Sequence, residues 1–420
     1  MIRAPLAILF ILTGLNLLNY LDRNIVAAVL PNVLRDLSLT KTEGGFLYTA
    51  FLLGYSLTGP FFAFFADRGK RPALLALGVA IWSIATALSG IVESKWGLFL
   101  CRGAVGIGEA SYLTIAPTLI DEIAPKTRKG LWLSTFFAAG PIGAALGYVV
   151  GGNLAVHYGW RNAFLLVGGP GIFLAFLCLL IFEPRTAKAP PFIPSQIVRG
   201  FLTDARELLG RAPYVWTVGA FCLHTFALYG FGFWAPTFLA DEFKMNLAKA
   251  NTQLGVVTVL GGLVGTMIGG VILDRSIRRE EAIDGENALT APREARIPLM
   301  LRIAGISTLA ATLPVAIAFV VPSGNLFFPL AFIAEVALFA ATTPINSAVL
   351  QSVPAERRAS ATAFMIFSIH VFGDLWSPPL IGAIAGTGSL RTAMMLVPLT
   401  FLIAGLGWCV GSRKLLASRA

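Results

Sequence analysis

Twelve apolar stretches alternate with short polar loops along the 420 residues of the chain. A helix needs about 20 apolar residues to cross the hydrocarbon core of a bilayer, and only helices or closed barrels satisfy every backbone hydrogen bond in lipid. Charged residues make up 13% of the chain, against about 25% in an average soluble domain. The sequence therefore predicts an all-α membrane protein with twelve transmembrane helices.

The predicted helices form two groups of six. The first six lie near residues 5–34, 43–66, 72–92, 97–122, 130–155 and 161–183, and the second six near 213–240, 248–273, 297–320, 326–350, 359–386 and 390–412. The segment between them is polar, and part of it has apolar residues at helical spacing, as in a helix that lies on a membrane surface. We predict an N-terminal six-helix bundle over 1–183, a cytoplasmic linker with an amphipathic helix over 184–212, and a C-terminal six-helix bundle over 213–420.

The lysines and arginines of the loops predict the orientation in the membrane. About 22 of them lie in the two termini and in the loops that follow even-numbered spans, against about 7 on the opposite side, and cytoplasmic loops carry such an excess. Both termini are therefore predicted to be cytoplasmic. The net charge of +10 has this same origin, so it does not indicate a nucleic-acid partner.

A short charged sequence recurs after the second and the eighth predicted spans. It reads D-R-G-K-R in the first copy and D-R-S-I-R-R in the second. Its matching position in both halves indicates an internal repeat, which is typical of transporters whose halves rock around a site near the bilayer midplane. We predict that the charged residues of these loops form a cytoplasmic gate, with aspartates that pair with arginines of neighbouring helices. They are Asp67, Arg68, Arg71, Asp274, Arg275, Arg278 and Arg279.

Four ionisable residues lie inside the first and fourth predicted spans. An ionisable side chain at membrane depth costs about 2.5–3.5 kcal/mol on insertion scales, so it requires a partner, a water-filled cavity or a function. Arg102 and Glu109 are two helical turns apart, about 10 Å along the axis, and cannot pair with each other. Asp22 and Arg23 are adjacent in the chain and point about 100° apart. We therefore predict the crossed pairs Arg23–Glu109 and Asp22–Arg102.

These crossed pairs can bind protons and an anion together. Burial and a nearby guanidinium act in opposite directions on the proton affinity of a carboxyl group, so that affinity changes when an anion takes the arginine. We predict Asp22 and Glu109 as proton-sensitive groups. A purely structural ion-pair network is the alternative, although buried ion pairs contribute little stability by themselves. His370 and Asp374, one turn apart in span eleven, form either a second proton site or a structural contact.

Several runs of residues resemble those of a known family. The D-R loops, together with Ser134–Ala144 in span five, resemble motifs of the major facilitator superfamily, which implies the major facilitator fold. Asn19-Tyr-Leu-Asp-Arg23 and Arg102-Gly-Ala-Val-Gly-Ile-Gly-Glu-Ala-Ser-Tyr112 are similar to Spinster-type lipid transporters. This resemblance implies transport of lysolipids or sphingosine-phosphate-like amphiphiles, with proton coupling in some members, by a bacterial homologue in the inner membrane.

A charged head group and an apolar chain need different contacts. Arginines can meet the head group, Asn19 can extend the charge network, and aromatic side chains can wall a cavity for an acyl chain, although most aromatic residues in membrane helices face lipid or pack. The predicted substrate-binding residues are Asn19, Arg23, Tyr48, Tyr55, Arg102, Tyr229 and Trp234. We expect a monomer that contacts a lipid substrate, protons and membrane lipids.

Other functions remain open on the sequence alone. A facilitator that exports drugs or moves organic acids shares every feature described above. An enzyme would need a nucleophile–base pair or a metal cluster at one depth, and neither pattern is present, because the three histidines and four cysteines are scattered. The sequence contains no nucleotide-binding G-x-x-x-x-G-K-[ST] loop, so we expect no cofactor and no ATP hydrolysis. A receptor that does not transport would leave the four buried charges unexplained.

Overall fold

The computed structural model of the chain describes residues 1–68, 70–125, 127–183, 203–284, 293–354 and 357–418. Almost all of these residues are helical, as predicted. The first half contains α1 (Pro5–Asp36), α2 (Lys41–Arg68), α3 (Arg71–Ser89), α4 (Lys95–Ile123), α5 (Lys129–Tyr158) and α6 (Trp160–Leu179). These six helices coincide with the six spans predicted from hydropathy.

The second half contains more segments because three of its spans are interrupted. After the long helices α7 (Ala212–Glu242), α8 (Leu247–Asp284) and α9 (Ile297–Val320), one span is divided into α10 (Gly324–Ala340) and α11 (Thr342–Gln351). The next consists of α12 (Arg358–Ile369), a π-helical turn (His370–Asp374) and α13 (Ser377–Thr387), and the last of α14 (Leu390–Met394) and α15 (Leu396–Ala417). Each interruption falls within a predicted span rather than at its end.

Eleven helical segments of the described chain are long and apolar enough to cross a membrane. The helix missing from this set is α4, which is 29 residues long but carries Arg102 and Glu109 in its middle. These two ionisable residues lower its mean hydropathy. Eleven of the twelve predicted spans are thus confirmed by length and composition, and α4 has the length of a span.

Glycines bring α4 into close contact with α2. A Cβ atom added to Gly54 of α2 would overlap the carbonyl oxygen of Gly103, and one added to Gly106 of α4 would overlap the carbonyl oxygen of Phe51. The backbones therefore touch without intervening side chains, as glycines allow in membrane helices. This contact fixes the position of Arg102 and Glu109 relative to the neighbouring helices.

The chain divides by contacts into two compact units that do not follow chain order. One unit comprises Met1–Pro191, Gly232–Val259 and Pro378–Leu390, and the other comprises Phe192–Phe231, Leu260–Ser377 and Arg391–Ala420. Two segments of the second half thus belong with the helices of the first half. The six-helix bundles over 1–183 and 213–420 stay predictions.

Specific contacts join those two segments to the helices of the first unit. The Asn251 side chain is buried and donates a hydrogen bond of 3.0 Å to the carbonyl oxygen of Ala28. The indole of Trp234 donates to the carbonyl oxygen of Pro378 at 2.9 Å, and Lys41 lies 3.8 Å from Asp241. Polar side chains and backbone carbonyls therefore make much of this contact.

Arg71 joins three segments at one end of the first unit. It is 1% exposed, and its guanidinium donates to both carboxylate oxygens of Glu122, at 2.8 and 2.6 Å. The same group donates to Glu183 at 2.6 Å, and the Arg71 backbone N–H donates to Glu183 at 2.9 Å. These contacts hold the start of α3 to the end of α4 and to the segment after α6. The function of Arg71 as a gate residue stays a prediction.

Only part of the predicted linker is described. Residues 184–202 lie outside the described chain, and residues 203–209 are helical. Leu208 packs in an apolar cluster of the second unit with Tyr214 and Val353, while Arg357 donates to Asp204 at 2.5 Å. This short helix is therefore attached to its unit by both apolar and ionic contacts.

Replacing Arg71 with alanine should destabilise the protein by about 3 kcal/mol, because two carboxylates lose a buried partner. Arg71→Lys should restore only part of this loss, since an ammonium cannot make the same paired bonds. Thermal unfolding can be followed with a thiol-reactive dye, because Cys178 and Cys222 are buried and free. Lys129→Ala, which removes an exposed pair with Asp121, is the control and should change stability by less than about 1 kcal/mol. Equal unfolding of Arg71→Ala and the wild type would contradict the assignment.

Candidate functional site

The four predicted ionisable residues lie close together in the first unit. Asp22 and Arg23 are in the middle of α1, and Arg102 and Glu109 are in α4. Asp22 and Arg102 are each 2% exposed, and Glu109 is fully buried. The two helices therefore form a charged site enclosed by the packed helices around it.

The predicted pair between Arg23 and Glu109 is confirmed. Arg23 Nη2 donates to Glu109 Oε2 at 2.7 Å, and Nε donates to the same oxygen at 3.3 Å. Both bonds go to one carboxylate oxygen, and Oε1 has no hydrogen-bond partner among the described residues. Glu109 therefore has one oxygen that can still accept a hydrogen bond or receive a proton.

The second predicted pair, Asp22 with Arg102, is also confirmed but is longer. Arg102 Nη1 lies 3.8 Å from Asp22 Oδ1, which is too far for a hydrogen bond. The hydroxyl of Thr86 in α3 donates to the other Asp22 oxygen. Arg102 Nε and Nη1 have no hydrogen-bond partner in the described part of the chain. Two guanidinium nitrogens of a buried arginine are thus left for a further acceptor.

Aromatic rings surround the guanidinium groups. The Arg23 guanidinium lies 4.9 Å from the ring centre of Phe51, 5.3 Å from that of Tyr20 and 5.4 Å from that of Tyr55. Arg102 lies 5.5 Å from the same Phe51 ring. Cation–π contacts of this kind partly replace the water that a buried cation loses. Phe51 therefore contacts both arginines of the site.

Asn19 does not complete the ion-pair network as we predicted. It is fully buried, yet neither its side-chain oxygen nor its nitrogen has a hydrogen-bond partner among the described residues. Other polar atoms of α1 without such a partner are Thr13 Oγ1, Asn16 Oδ1 and Asp22 Oδ1. Because buried polar groups are nearly always hydrogen-bonded, this concentration on one helix marks a place where a polar ligand can bind.

The predicted aromatic residues lie in different environments. Tyr55 is beside Arg23, in the site. Tyr48 is buried, with its ring centre 5.8 Å from that of Phe233, and Trp234 is fully buried with its indole nitrogen bonded to Pro378. Both side chains pack against neighbouring residues, and their contact with a substrate stays a prediction. Tyr229 is half-buried in the second unit.

His370 and Asp374 form the contact that their spacing predicts. His370 Nδ1 lies 3.0 Å from both carboxylate oxygens of Asp374. The pair spans a π-helical turn, which is closed by a hydrogen bond of 3.1 Å from the Leu375 N–H to the His370 carbonyl oxygen. Such turns are rare and frequently lie at functional sites. The pair belongs to the second unit.

Apart from Arg71, the predicted gate residues have no described ion pair. The side chains of Asp67 and Arg68 lie outside the described residues. In the second copy of the repeat, the four gate residues are exposed, and none forms an ion pair with another described residue. They are Asp274, Arg275, Arg278 and Arg279. Their function as a gate stays a prediction.

The sequence alone did not identify Thr86 and Tyr20 as site residues. Thr86 lies on α3, which carries no charge near it, and nothing in its spacing connects it with Asp22. Tyr20 is in the run Asn19–Arg23, which we had used only for the resemblance. Its position three residues before Arg23, which puts it on nearly the same helix face, was a signal that could have located it.

Removing either partner of the Arg23–Glu109 pair should cost about 3 kcal/mol of stability, because the remaining charge stays buried. The variants Arg23→Gln and Glu109→Gln can be compared with the double variant by thermal unfolding. We expect the double variant to lose less stability than the sum of the single losses, since it leaves no unpaired charge. Strictly additive losses would contradict the pairing.

Comparisons with known proteins agree with this architecture. The family model described as Major Facilitator Superfamily matches residues 12–373. The chain is 31% identical to "Sphingosine-1-phosphate transporter SPNS2" of Xenopus tropicalis over 96% of this chain and 81% of the relative. It is 29% identical to "Probable sphingolipid transporter spinster homolog 2" of Arabidopsis thaliana over 97% of this chain and 87% of the relative.

Solved structures share the fold. The structure of a bacterial homologue of the human lysosomal transporter Spinster, in an inward-facing and unoccupied conformation, superposes with a TM-score of 0.83 at 22% identity and covers 99% of both chains. The nucleoside transporter NupG superposes with a TM-score of 0.69 at 13% identity over 96% of this chain and 98% of its own. The chain therefore belongs to the major facilitator superfamily and, within it, to the Spinster family, whose members are membrane transporters and not enzymes.

Proposed function

We propose that the protein is a secondary active transporter that moves an anionic amphipathic lipid by alternating access, with coupling to protons. The lipid is a lysophospholipid or resembles sphingosine phosphate. The observation that carries this proposal is the buried network of Asp22, Arg23, Arg102 and Glu109, in which several polar atoms have no hydrogen-bond partner among the described residues. The names of the relatives, which include sphingolipid and sphingosine-1-phosphate transporters, support the substrate class.

The charge balance of the network supports coupling between anion and proton. With all four groups ionised, two negative and two positive charges cancel. A phosphate that enters this site adds negative charge to a region where an uncompensated charge is costly. Protonation of Glu109 or Asp22 removes that excess. Binding of the anion is thereby linked to binding of a proton, as the two ligands act on one network.

The head group has donors available. Arg102 Nε and Nη1 can donate to a phosphate oxygen, and Asn19 can both donate and accept. Guanidinium groups bind phosphate strongly because they present paired, charge-assisted donors. Arg23 is already bonded to Glu109, so it would change partner only when that carboxyl is protonated. We assign the first head-group contact to Arg102 and the proton-linked contact to Arg23.

The acyl chain needs an apolar wall beside these donors. Phe51 and Tyr55 lie next to the guanidinium groups and form this wall. Tyr229, in the second unit, stays a predicted substrate-binding residue. His370 with Asp374 is the second proton site of the proposal. The cytoplasmic gate of this scheme includes Asp274, Arg275, Arg278 and Arg279. The protein acts as a monomer in a bacterial inner membrane, with both termini in the cytoplasm.

Transport of an organic acid or a drug is the second candidate. The free nitrogens of Arg102 favour an anion, but they bind a carboxylate as readily as a phosphate. Nothing in the immediate environment of Arg102 distinguishes the two acids. The acyl chain is what separates the candidates, because an organic acid does not need the aromatic wall.

Uptake into proteoliposomes with an imposed pH gradient should distinguish these substrates. We expect labelled lysophospholipid or sphingosine phosphate to be transported, and Arg102→Gln to reduce the rate at least tenfold, since it removes the head-group donors. Short carboxylates at the same concentration should not be transported. Uptake of the carboxylates without uptake of the lipids would favour the second candidate, and chemical conversion of the lipid would contradict transport.

Neutralising the two carboxyl groups should remove the effect of pH on transport. We expect Asp22→Asn and Glu109→Gln each to abolish transport or to leave a rate that no longer responds to the pH gradient, because the group that exchanges the proton is gone. Asp121→Asn, an exposed carboxyl paired with Lys129, is the matched control and should keep the wild-type response. An unchanged pH response in both buried variants would contradict proton coupling at this site.

A further inference from the structure

Two helices of the second unit pack closely with their chains antiparallel. Pro298, near the start of α9, accepts a 2.6 Å hydrogen bond from the hydroxyl of Ser412, near the end of α15. Further along, a Cβ atom added to Gly305 would lie 2.6 Å from Cys409 Sγ and 2.8 Å from the Gly405 carbonyl oxygen. The helices therefore meet almost backbone to backbone, which leaves a shallow groove on each side of the contact.

Two arginines border the same groove. The residues in contact define a contact line along each helix. Because successive residues are about 100° apart around the helix axis, Arg302 lies about 50° around α9 from its contact line. Arg413 lies about 70° around α15 from the contact line of that helix. Both angles are measured in the same rotational sense along the chain. Because the two helices run in opposite directions, equal senses of rotation put both arginines on the same side of the helix pair. Both side chains are exposed. Neither forms an ion pair within the described residues.

Apolar side chains continue this flank away from the arginines. The same helical periodicity places Ile306 and Leu313 of α9 on it, and both are exposed, at 58% and 66%. Leu402 and Leu406 of α15 lie opposite them and are also exposed. We name this surface, with Arg302 and Arg413 at its end, the α9–α15 groove. It presents two cations next to an apolar surface that extends for about two helical turns, from Ile306 to Leu313.

We propose that the α9–α15 groove binds an anionic phospholipid of the surrounding bilayer. Its phosphate lies between Arg302 and Arg413, and its acyl chains lie along the apolar side chains. Arg302 is near the start of α9 and Arg413 is near the end of α15, so in this antiparallel pair both lie on the side of the carboxyl terminus. The lipid therefore belongs to the leaflet on that side. This lipid is a bound component of the membrane and is distinct from any transported substrate.

The exposed position of Arg302 favours an anionic partner. An arginine inside a membrane-spanning segment normally faces the bundle interior or pairs with an acid, whereas Arg302 is exposed beside apolar residues that face lipid. Basic pockets between transmembrane helices bind the phosphates of anionic lipids. Two guanidinium groups suit one phosphate shared between them or the two phosphates of cardiolipin.

Lys414 provides a natural comparison. It follows Arg413 directly in the chain and is equally exposed, but it lies on another face of α15, with its ammonium 5.3 Å from the ring centre of Trp216. Lys414→Gln removes the same charge at the same depth without altering the groove. Any effect of net charge alone would appear in this variant.

The test counts bound lipids on the full-length protein by native mass spectrometry. The protein is reconstituted in phosphatidylcholine nanodiscs that also contain either phosphatidylglycerol or cardiolipin, and is then released with its retained lipid. Each arginine should contribute about fivefold to the affinity for the anionic lipid, so Arg302→Gln or Arg413→Gln should weaken retention about fivefold and the double variant about twenty-fivefold. Lys414→Gln should retain the lipid as the wild type does.

Three results would overturn the proposal. The first is equal retention by the wild type and the double variant, and the second is an equal loss in Lys414→Gln. The third is an equal loss of the bound lipid in Arg102→Gln, which would place the lipid at the charged site between α1 and α4. A double variant with lysines, Arg302→Lys with Arg413→Lys, keeps both charges and should retain most of the lipid. It therefore separates a loss of charge from a loss of fold.

Discussion

The enclosed charge balance between α1 and α4 is the constraint on which the first unit depends. Four ionisable groups lie within two membrane helices, and each is tolerable only because an opposite charge or an aromatic face is near it. The short Arg23–Glu109 pair and the long Asp22–Arg102 pair differ in their hydrogen bonds. The first has its main bonds formed, whereas the second leaves guanidinium nitrogens without an acceptor in the described chain. The Arg23–Glu109 pair thus holds the site together, and Arg102 has nitrogens left for the proposed ligand.

Much of this site followed from the sequence because helical geometry leaves few choices. Two residues seven apart cannot bond to each other, and two adjacent residues cannot share a partner, so the crossed pairs were the remaining arrangement. Thr86 could not be predicted in this way, since its contact with Asp22 depends on how α3 packs against α1. Asn19 was predicted from proximity along α1, and proximity alone does not give its amide a partner.

Hydropathy predicted the membrane spans, eleven of which are confirmed, but it predicted neither the interruptions in the second half nor the contacts between helices distant in the chain. Hydropathy measures whether a segment enters the membrane and carries no information about its neighbours. The contacts of Asn251 with α1 and of Trp234 with Pro378 join distant parts of the chain and place two segments of the second half with the first. Arg71 shows the same limit, because its position in a repeated loop does not identify its partners, Glu122 and Glu183, which lie elsewhere in the sequence.

The π-helical turn at His370–Asp374 sets the alignment of the pair that it contains. Such a turn holds one residue more than an α-helical turn, and the hydrogen bond that closes it joins the Leu375 N–H to the His370 carbonyl oxygen. Asp374 stands four positions after His370, with both carboxylate oxygens 3.0 Å from His370 Nδ1. A deletion of one residue between them would turn the carboxylate by about 100° relative to the imidazole and break this contact.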